Sequence, residues 1–135
     1  MYQDKDTVRR ILTTTRTIAV VGLSADPDKP SHYVSAYMQA AGYRIIPVNP
    51  TLTGNVLGEK AYPDLASIPE PVDLVNVFRR NSECAGVVEQ AIAIKAKAVW
   101  TQLGITCPEA AATAQAAGVL VVMNRCLMIE RSRLQ

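Results

Sequence analysis

Residues that could bind a phosphate follow the first apolar run of the sequence, in the stretch VVGLSADPDKPSHYV at 20–34. Gly22 permits a sharp turn, Ser24 offers a hydroxyl group and Lys29 offers a cation. Ser31 lies where a helical pattern begins, and the free N–H groups at a helix start suit an anion. The stretch therefore predicts a phosphate-binding loop, although an ordinary turn capped by Ser31 would use the same residue types.

The loop does not match the fingerprint for NAD. The pattern G-x-G-x-x-G needs two further glycines for close backbone approach and helix packing. NAD sites also place an acidic residue about 20 residues further on, at the end of the second strand. Here the second apolar run ends in Pro47, Val48 and Asn49, without a carboxylate. This absence favours a ligand with a phosphate on its ribose, because a carboxylate would repel that phosphate.

The third apolar run ends in an aromatic residue and two cations. Phe78 can pack on a purine, and Arg79 or Arg80 can pair with a phosphate. A short basic run is also common on a solvated surface. Two interpretations therefore stay open: at least one of the two arginines contacts the ligand, or both are solvated surface charges. Arg125, after the last apolar run, is a weaker candidate of the same kind.

Five apolar, β-branched runs alternate with helical patterns along the chain. The runs are TIAVVG (17–22), RIIPV (44–48), LVNVF (74–78), AVWTQ (98–102) and VLVVM (119–123). Such runs are typical of parallel strands buried on both faces. The sequence predicts one α/β domain over 1–135, with a three-layer, Rossmann-like, doubly wound parallel sheet of five strands in the order 3-2-1-4-5.

The helical patterns have recognisable starts and stops. We expect an opening helix at roughly 5–14, a short closing helix at about 127–134, and helix stops at Gly42 and Gly118. Asn81 or Ser82 is a candidate cap for the third helix, and Thr106 with Glu109 has the spacing of a capping box. The segment 51–73 is rich in Pro and Gly, which predicts a loop with a short turn of helix near Leu65.

Composition limits the possible functions. The chain has 135 residues, of which 49% are apolar and 19% are charged, and its net charge is +2. This balance is too mild to indicate nucleic acid as a partner. No apolar run is long enough for a membrane span, and the charged start shows no signal peptide. We expect no nucleic-acid partner, no membrane partner and no metal site.

The cysteines number three. The odd count and the spacing of Cys84, Cys107 and Cys126 match neither a disulfide framework nor a zinc pair. A reducing cytoplasm is the expected location. Cys84 and Cys107 are expected at core or cap positions of helices.

Groups that could catalyse a reaction are few. His32 is the only histidine, and a first-turn helix position more often gives a partly exposed histidine than an acid–base group. Cys126 follows the fifth run and could be a nucleophile or form a mixed disulfide, but a buried apolar role is the more common outcome. No catalytic residue is therefore assigned, and the prediction leans against an enzyme.

The motifs resemble those of a known family, the small bacterial CoA-binding proteins of Rossmann type (the YccU-like family). These are related to the CoA-binding domain of the succinyl-CoA synthetase α subunit and of NDP-forming acyl-CoA synthetases. The resemblance covers nearly the whole chain and is carried by VVGLSADPDKPSHYV (20–34), GYRIIPVNP (42–50), VDLVNVFRRNSE (72–83), VWTQLGI (99–105) and VVMNRC (121–126). The chain departs from the family at Leu23, where alanine is usual, and at Asn124, where aspartate is usual.

The resemblance implies that the ligand is coenzyme A or an acyl-CoA, bound by its 3′-phospho-ADP end at the carboxyl ends of the strands. The residues implied at the pyrophosphate are Gly22, Leu23, Ser24, Lys29, Pro30 and Ser31; those beside the nucleotide are Pro47, Val48 and Asn49; those that hold adenine and phosphate are Phe78, Arg79 and Arg80.

Three functions stay open from the sequence. The first is a non-catalytic CoA-binding protein, which could also have a protein partner or form a homodimer. The second is an acyl-CoA-handling enzyme whose partner subunit supplies the catalytic group. The third is an NAD(P)-binding or redox-sensing domain. Affinities for CoA and for NADH would separate the first from the third.

Overall fold

Strands and helices alternate along residues 4–134, which are the residues that the computed structural model describes. The strands are β1 Thr17–Val21, β2 Arg44–Val48, β3 Asn55–Val56, β4 Glu59–Lys60, β5 Leu74–Val77, β6 Ala98–Thr101 and β7 Leu120–Val122. The helices are α1 Lys5–Thr14, α2 Pro30–Ala40, α3 Asn81–Ala93, α4 Pro108–Ala116 and α5 Leu127–Ser132, and a turn of 3₁₀ helix covers Leu65–Ser67. The predicted opening helix, closing helix and turn near Leu65 are confirmed.

Five strands form one parallel sheet in the order β2-β1-β5-β6-β7, while β3 and β4 form a separate hairpin. The predicted class, a doubly wound α/β fold with a five-stranded parallel sheet, is confirmed. The predicted order 3-2-1-4-5 is wrong, because the five strands of the sheet follow the order 2-1-3-4-5. The third strand of the sheet, β5, pairs with β1, where Leu74 lies opposite Ile18.

Proline in β2 gives a physical reason for this order. Pro47 has no N–H group to donate, so the strand that contains it belongs at an edge of the sheet. Its carbonyl oxygen accepts a hydrogen bond from Tyr62 N at 3.0 Å, and Asn49 N donates to Tyr62 O at 2.9 Å. Tyr62 and Val48 thus form an isolated parallel bridge on the outer side of β2, where the predicted order had placed the third strand.

The carboxylate of Asp73 links the start of β5 to the start of β1. Asp73 Oδ2 accepts hydrogen bonds from the backbone N–H groups of Arg16 and Thr17, each at 3.0 Å, and Lys97 Nζ lies 3.4 Å from Asp73 Oδ1. Burial by itself would raise the pKa of Asp73, but the bonds from Thr17, Arg16 and Lys97 together hold that pKa below its ordinary value. The charged form of Asp73 therefore stabilises the pairing of β1 with β5.

Two apolar layers cover the sheet. One layer joins α3 and α4 to the sheet face that carries Val21, Val48 and Val77. The other joins α1, α2 and α5 to the face that carries Val20 and Trp100. Trp100 is fully buried, and its Nε1 donates to Arg125 O at 2.9 Å.

Several helix starts differ from the expectation. The N-cap residue of α3 is Arg80, without a side-chain capping bond, and Asn81 Oδ1 accepts from Thr106 N instead. The N-cap residue of α4 is Cys107, also without a side-chain capping bond, so the predicted capping box is not formed. Both helices start at the carboxyl ends of the strands, and at α3 the Asn81 side chain bonds to the loop before α4 rather than to its own helix. Gly42 and Gly118 follow α2 and α4 with positive φ angles, as predicted for helix stops.

The sulfur atoms of Cys84 and Cys107 form a disulfide bond. This corrects the expectation that the cysteines form no disulfide. The two residues are 23 positions apart in sequence, and they meet because α3 and α4 pack side by side on the same face of the sheet. Cys126 has a free, half-buried thiol.

Candidate functional site

The carboxyl ends of β1, β2 and β5 are joined by backbone hydrogen bonds. Gly22 N donates to Val48 O at 2.8 Å, and Phe78 N donates to Val21 O at 2.9 Å. β2 and β5 pair with opposite edges of β1, so the order in which strands are added to the sheet reverses at β1. Ligands of open α/β sheets bind at this kind of crevice.

Gly22 allows two of these strand ends to approach each other. Its φ angle is +93°, and a β-carbon at this position would lie 2.2 Å from the carbonyl oxygen of Phe78. The turn predicted at Gly22 is confirmed. The glycine is needed for contact between the loops that follow β1 and β5, which the sequence did not predict.

The loop after β1, residues 22–31, is held by its own polar groups. Ser24 N donates to Ser31 Oγ at 2.9 Å, Asp26 N donates to Ser24 Oγ at 3.0 Å, and Asp28 N donates to Asp26 Oδ1 at 3.0 Å. Ser31 is therefore bonded to the loop and does not cap α2. These bonds fix the shape of the loop before any ligand arrives.

Lys29 stands at the junction of this loop with α2. It is the N-cap residue of the helix, and Pro30 follows as the first helical residue. Lys29 is exposed, and among residues 4–134 no carboxylate forms an ion pair with it. A cation beside a helix start thus remains available to an anionic ligand.

The end of β2 is held to the loop by an asparagine. Asn49 Nδ2 donates to Leu23 O at 3.1 Å, while Asn49 Oδ1 accepts from Thr51 N at 3.1 Å and from Thr51 Oγ1 at 2.9 Å. The side chain of Leu23 is fully buried in the core, so only its backbone lies at the site. Pro47 and Val48 are buried as well.

The two arginines after β5 have different surroundings. Arg79 is half-buried and has no ion pair within the described part of the chain. The side chain of Arg80 is 81% exposed and lies 3.8 Å from a carboxylate oxygen of Glu83. Phe78, before them, is half-buried. Arg79 is therefore the better placed of the two cations for a ligand.

A cleft of about 370 Å³ lies between the ends of β1 and β2 and the start of α3. Val21, Val48, Gly86 and Val87 form apolar parts of its lining, and Arg79 contributes its one cation among the residues described. This cleft contains two of the predicted ligand residues, Val48 and Arg79.

A larger cavity, of about 800 Å³, lies between α1 and α5. It includes Arg125 but none of the twelve residues that the resemblance implies. Arg125 lies 3.7 Å from a carboxylate oxygen of Glu130. Of these two cavities, the smaller cleft is the candidate site, because it is the one that lies at the crevice between strand ends.

A buried pair of amides beneath the strand ends was not predicted. Gln102 Nε2 donates to Asn76 Oδ1 at 2.7 Å, and both residues are buried. Asn76 Nδ2 has no hydrogen-bond partner within residues 4–134. The signal in the sequence was a polar residue in the middle of the apolar run LVNVF.

The remaining candidates do not assemble into a reactive group. His32 is half-buried in the first turn of α2, and its backbone N–H donates to Lys29 O at 2.9 Å. Among residues 4–134, no three His, Cys, Asp or Glu side chains are grouped so that they could hold a metal ion. Asp26 and Asp64 bond to nearby backbone N–H groups, as expected of turn-forming residues. Asn124 Oδ1 accepts from Gly104 N at 2.7 Å.

No helix in the described part of the chain has the length and apolar character that a membrane crossing requires.

The fold and the crevice define a doubly wound, Rossmann-like α/β domain. A family model described as CoA binding domain matches residues 16–132. The chain belongs to this family of CoA-binding domains.

Two similar proteins match nearly the full chain. The uncharacterized protein YneT of Bacillus subtilis (strain 168) is 44% identical over 125 residues, which are 93% of this chain and 92% of YneT. The structure of cell-free ID.343 from Thermus thermophilus has a TM-score of 0.92 and 40% identity, and the match covers 98% of this chain and 100% of that one.

A dinucleotide forming acetyl-coenzyme A synthetase from Ca. Korarchaeum cryptofilum, in complex with phosphate and ADP, contains a similar fold. The TM-score is 0.70 at 22% identity, and the match covers 90% of this chain but 27% of the synthetase. At this identity the likeness concerns the fold alone.

Proposed function

We propose that this protein binds coenzyme A or an acyl-CoA through the 3′-phospho-ADP end, without carrying out a reaction of its own. The observation that carries the proposal is the position of two cations, Lys29 and Arg79, which follow β1 and β5 and have no ion pair within residues 4–134. Membership of the CoA-binding domain family supports CoA as the ligand. CoA carries a pyrophosphate and a 3′-phosphate, so two separate cations suit its charges.

The surroundings of the cleft support this ligand over NAD. The side-chain groups of Asn49 bond to Leu23 and Thr51, and the loop directly after β2, residues 49–54, has no carboxylate where NAD sites place one for the ribose hydroxyl groups. The apolar lining formed by Val21 and Val48 suits one face of a purine. The prediction of a cytoplasmic protein, free of catalytic and metal-binding groups, belongs to the same proposal.

Titration calorimetry tests the proposal directly. CoA, dephospho-CoA, acetyl-CoA and NADH are compared at one salt concentration. We expect CoA and acetyl-CoA to bind more tightly than dephospho-CoA, and NADH to bind most weakly. Tighter binding of NADH than of CoA would overturn the proposal, and turnover of a thioester by the purified protein would show an enzyme instead.

A further inference from the structure

The disulfide bond lies beside the cleft and joins the starts of two helices. Cys84 belongs to the first turn of α3, and Cys107 directly precedes α4. The neighbours Glu83, Gly86 and Val87 all line the cleft. The crosslink therefore connects the α3 wall of the cleft, residues 83–87, to an element that is not part of the cleft.

Cys84, Val87 and Val88 anchor α3 in the apolar layer, but polar contacts hold the start of the helix only weakly. Arg80 occupies the N-cap position without a side-chain capping bond, and loss of such a bond costs a helix about 1 kcal/mol. The nearest bond to the α4 side, from Thr106 N to Asn81 Oδ1 at 2.9 Å, is exposed to water. Opening of the first turn of α3 would move the α3 wall and the adjoining Arg79, and the disulfide opposes that opening.

The two sulfur atoms differ in access to solvent. Cys84 is fully buried, whereas Cys107 is partly exposed. A small thiolate can therefore attack the Cys107 sulfur, which breaks the bond to Cys84 and forms a mixed disulfide on Cys107. A second thiolate attacks the small-molecule sulfur of this mixed disulfide and releases the oxidised small molecule. The two cysteines take up protons, so two small thiols are oxidised while one protein disulfide is reduced.

The reduced protein has the contacts it needs to stay folded. Cys84 lies in the apolar layer with Val87, Val88 and Ala111, where a thiol packs as a small apolar group. The bond from Cys107 N to Met123 Sδ, at 3.4 Å, does not depend on the disulfide. Reduction should therefore loosen the start of α3 without unfolding the domain.

We infer that the Cys84–Cys107 disulfide is a reversible redox control on the cleft. The oxidised form orders the α3 wall and so binds CoA more tightly than the dithiol form. The tighter binding of CoA by the oxidised form rests on the proposed function, whereas the ordering of the α3 wall by the disulfide does not require a ligand. By thermodynamic reciprocity, saturating CoA makes the disulfide harder to reduce by the same factor by which oxidation strengthens binding.

Two measurements on the full chain test this inference. Hydrogen exchange of residues 79–88 and CoA affinity are compared between protein oxidised with glutathione disulfide and protein reduced with a dithiol. We expect faster exchange in this segment after reduction, little change in α2, and an affinity for CoA about 3- to 10-fold lower, because a disordered wall must be ordered on binding. Equal exchange and equal affinity in the two states would overturn the inference, as would three free thiols remaining after oxidation.

Cysteine variants separate the effect of the Cys84–Cys107 disulfide from any effect of Cys126. Cys126→Ser should keep the full redox response, whereas Cys84→Ala with Cys107→Ala should behave as the reduced protein under both conditions. If the double variant does not fold, the oxidised and reduced natural sequence still supply the comparison. A redox-dependent exchange rate with no CoA binding in either state would contradict the proposed function while supporting control of the α3 wall.

Discussion

The backbone of Gly22 lies against the carbonyl oxygen of Phe78, so closely that a β-carbon on Gly22 would stand 2.2 Å from that oxygen. This contact joins the loop that follows β1 to the segment that carries Arg79. The two cations proposed for the ligand, Lys29 and Arg79, thus lie on loops whose separation is set by a single glycine.

Gly22→Ala should destabilise the protein and weaken CoA binding together. The added carbon meets Phe78 O, and the φ angle of +93° is unfavourable for alanine. We expect a loss of about 2–4 kcal/mol in the free energy of unfolding, from strain and displacement of the neighbouring loop. Urea unfolding measures this loss. Gly86→Ala is the control for stability only, because Gly86 lines the cleft. Nothing lies within 4 Å of its added carbon, so a gain of about 0.5–1 kcal/mol in the free energy of unfolding is expected for a helix interior.

Lys29→Ala and Arg79→Ala should each weaken CoA binding by about 1–3 kcal/mol, the range for loss of a charge-assisted contact. Arg80→Ala is the control, because its side chain is 81% exposed and already near Glu83. That variant should lose less than about 1 kcal/mol. Calorimetry with CoA and with dephospho-CoA shows which cation responds to the 3′-phosphate. Unchanged CoA affinity in both Lys29→Ala and Arg79→Ala would remove the proposed site.

Asp73 should make stability depend on pH in the acid range. Its pKa is lower in the folded protein than its ordinary value, so its stabilising contribution is complete above the unfolded pKa, about 3.9. That contribution is lost as the pH falls through the folded pKa. Asp73→Asn should lower the free energy of unfolding at pH 7 by about 1–2 kcal/mol and should flatten the acid limb of the stability profile. A variant with the same acid limb as the natural sequence would contradict this assignment.

The buried amides should act as a pair. Asn76→Leu removes the acceptor of Gln102 Nε2 and leaves that donor buried without a partner, which costs about 1–3 kcal/mol. Adding Gln102→Leu removes the stranded donor, so the double variant should regain part of the loss. A double-mutant cycle by thermal unfolding measures the coupling. Strict additivity of the two single changes would show that the amides do not depend on each other.

The fold class could be predicted because the buried strands are largely apolar and the helices carry apolar stripes, although β5 contains the buried Asn76. The strand order was also within reach, since Pro47 belongs on an edge strand, but the prediction gave no weight to the missing N–H group. The disulfide could not be predicted from spacing. Cys84 and Cys107 meet only after α3 and α4 have packed on one face of the sheet.

The candidate site residues divide in the same way. Residue type and position after a strand indicate Gly22, Lys29 and Arg79 as candidates, and the structure places them after β1 and β5. The side chain of Leu23 is buried, and the amide of Asn49 bonds to the protein itself. Those two outcomes depend on which atoms the folded chain brings together, and residue type carries no information about that.

The bridge between Val48 and Tyr62 has a consequence for the protein at high concentration. A strand at the edge of a sheet offers free N–H and C=O groups to other molecules, and such edges promote aggregation. On β2, Pro47 lacks the N–H group, and the Pro47 carbonyl and the Asn49 N–H are both bonded to Tyr62. The outer edge of β2 therefore has few free backbone groups with which a strand of another molecule could pair, so β2 is a poor starting point for self-association into fibres.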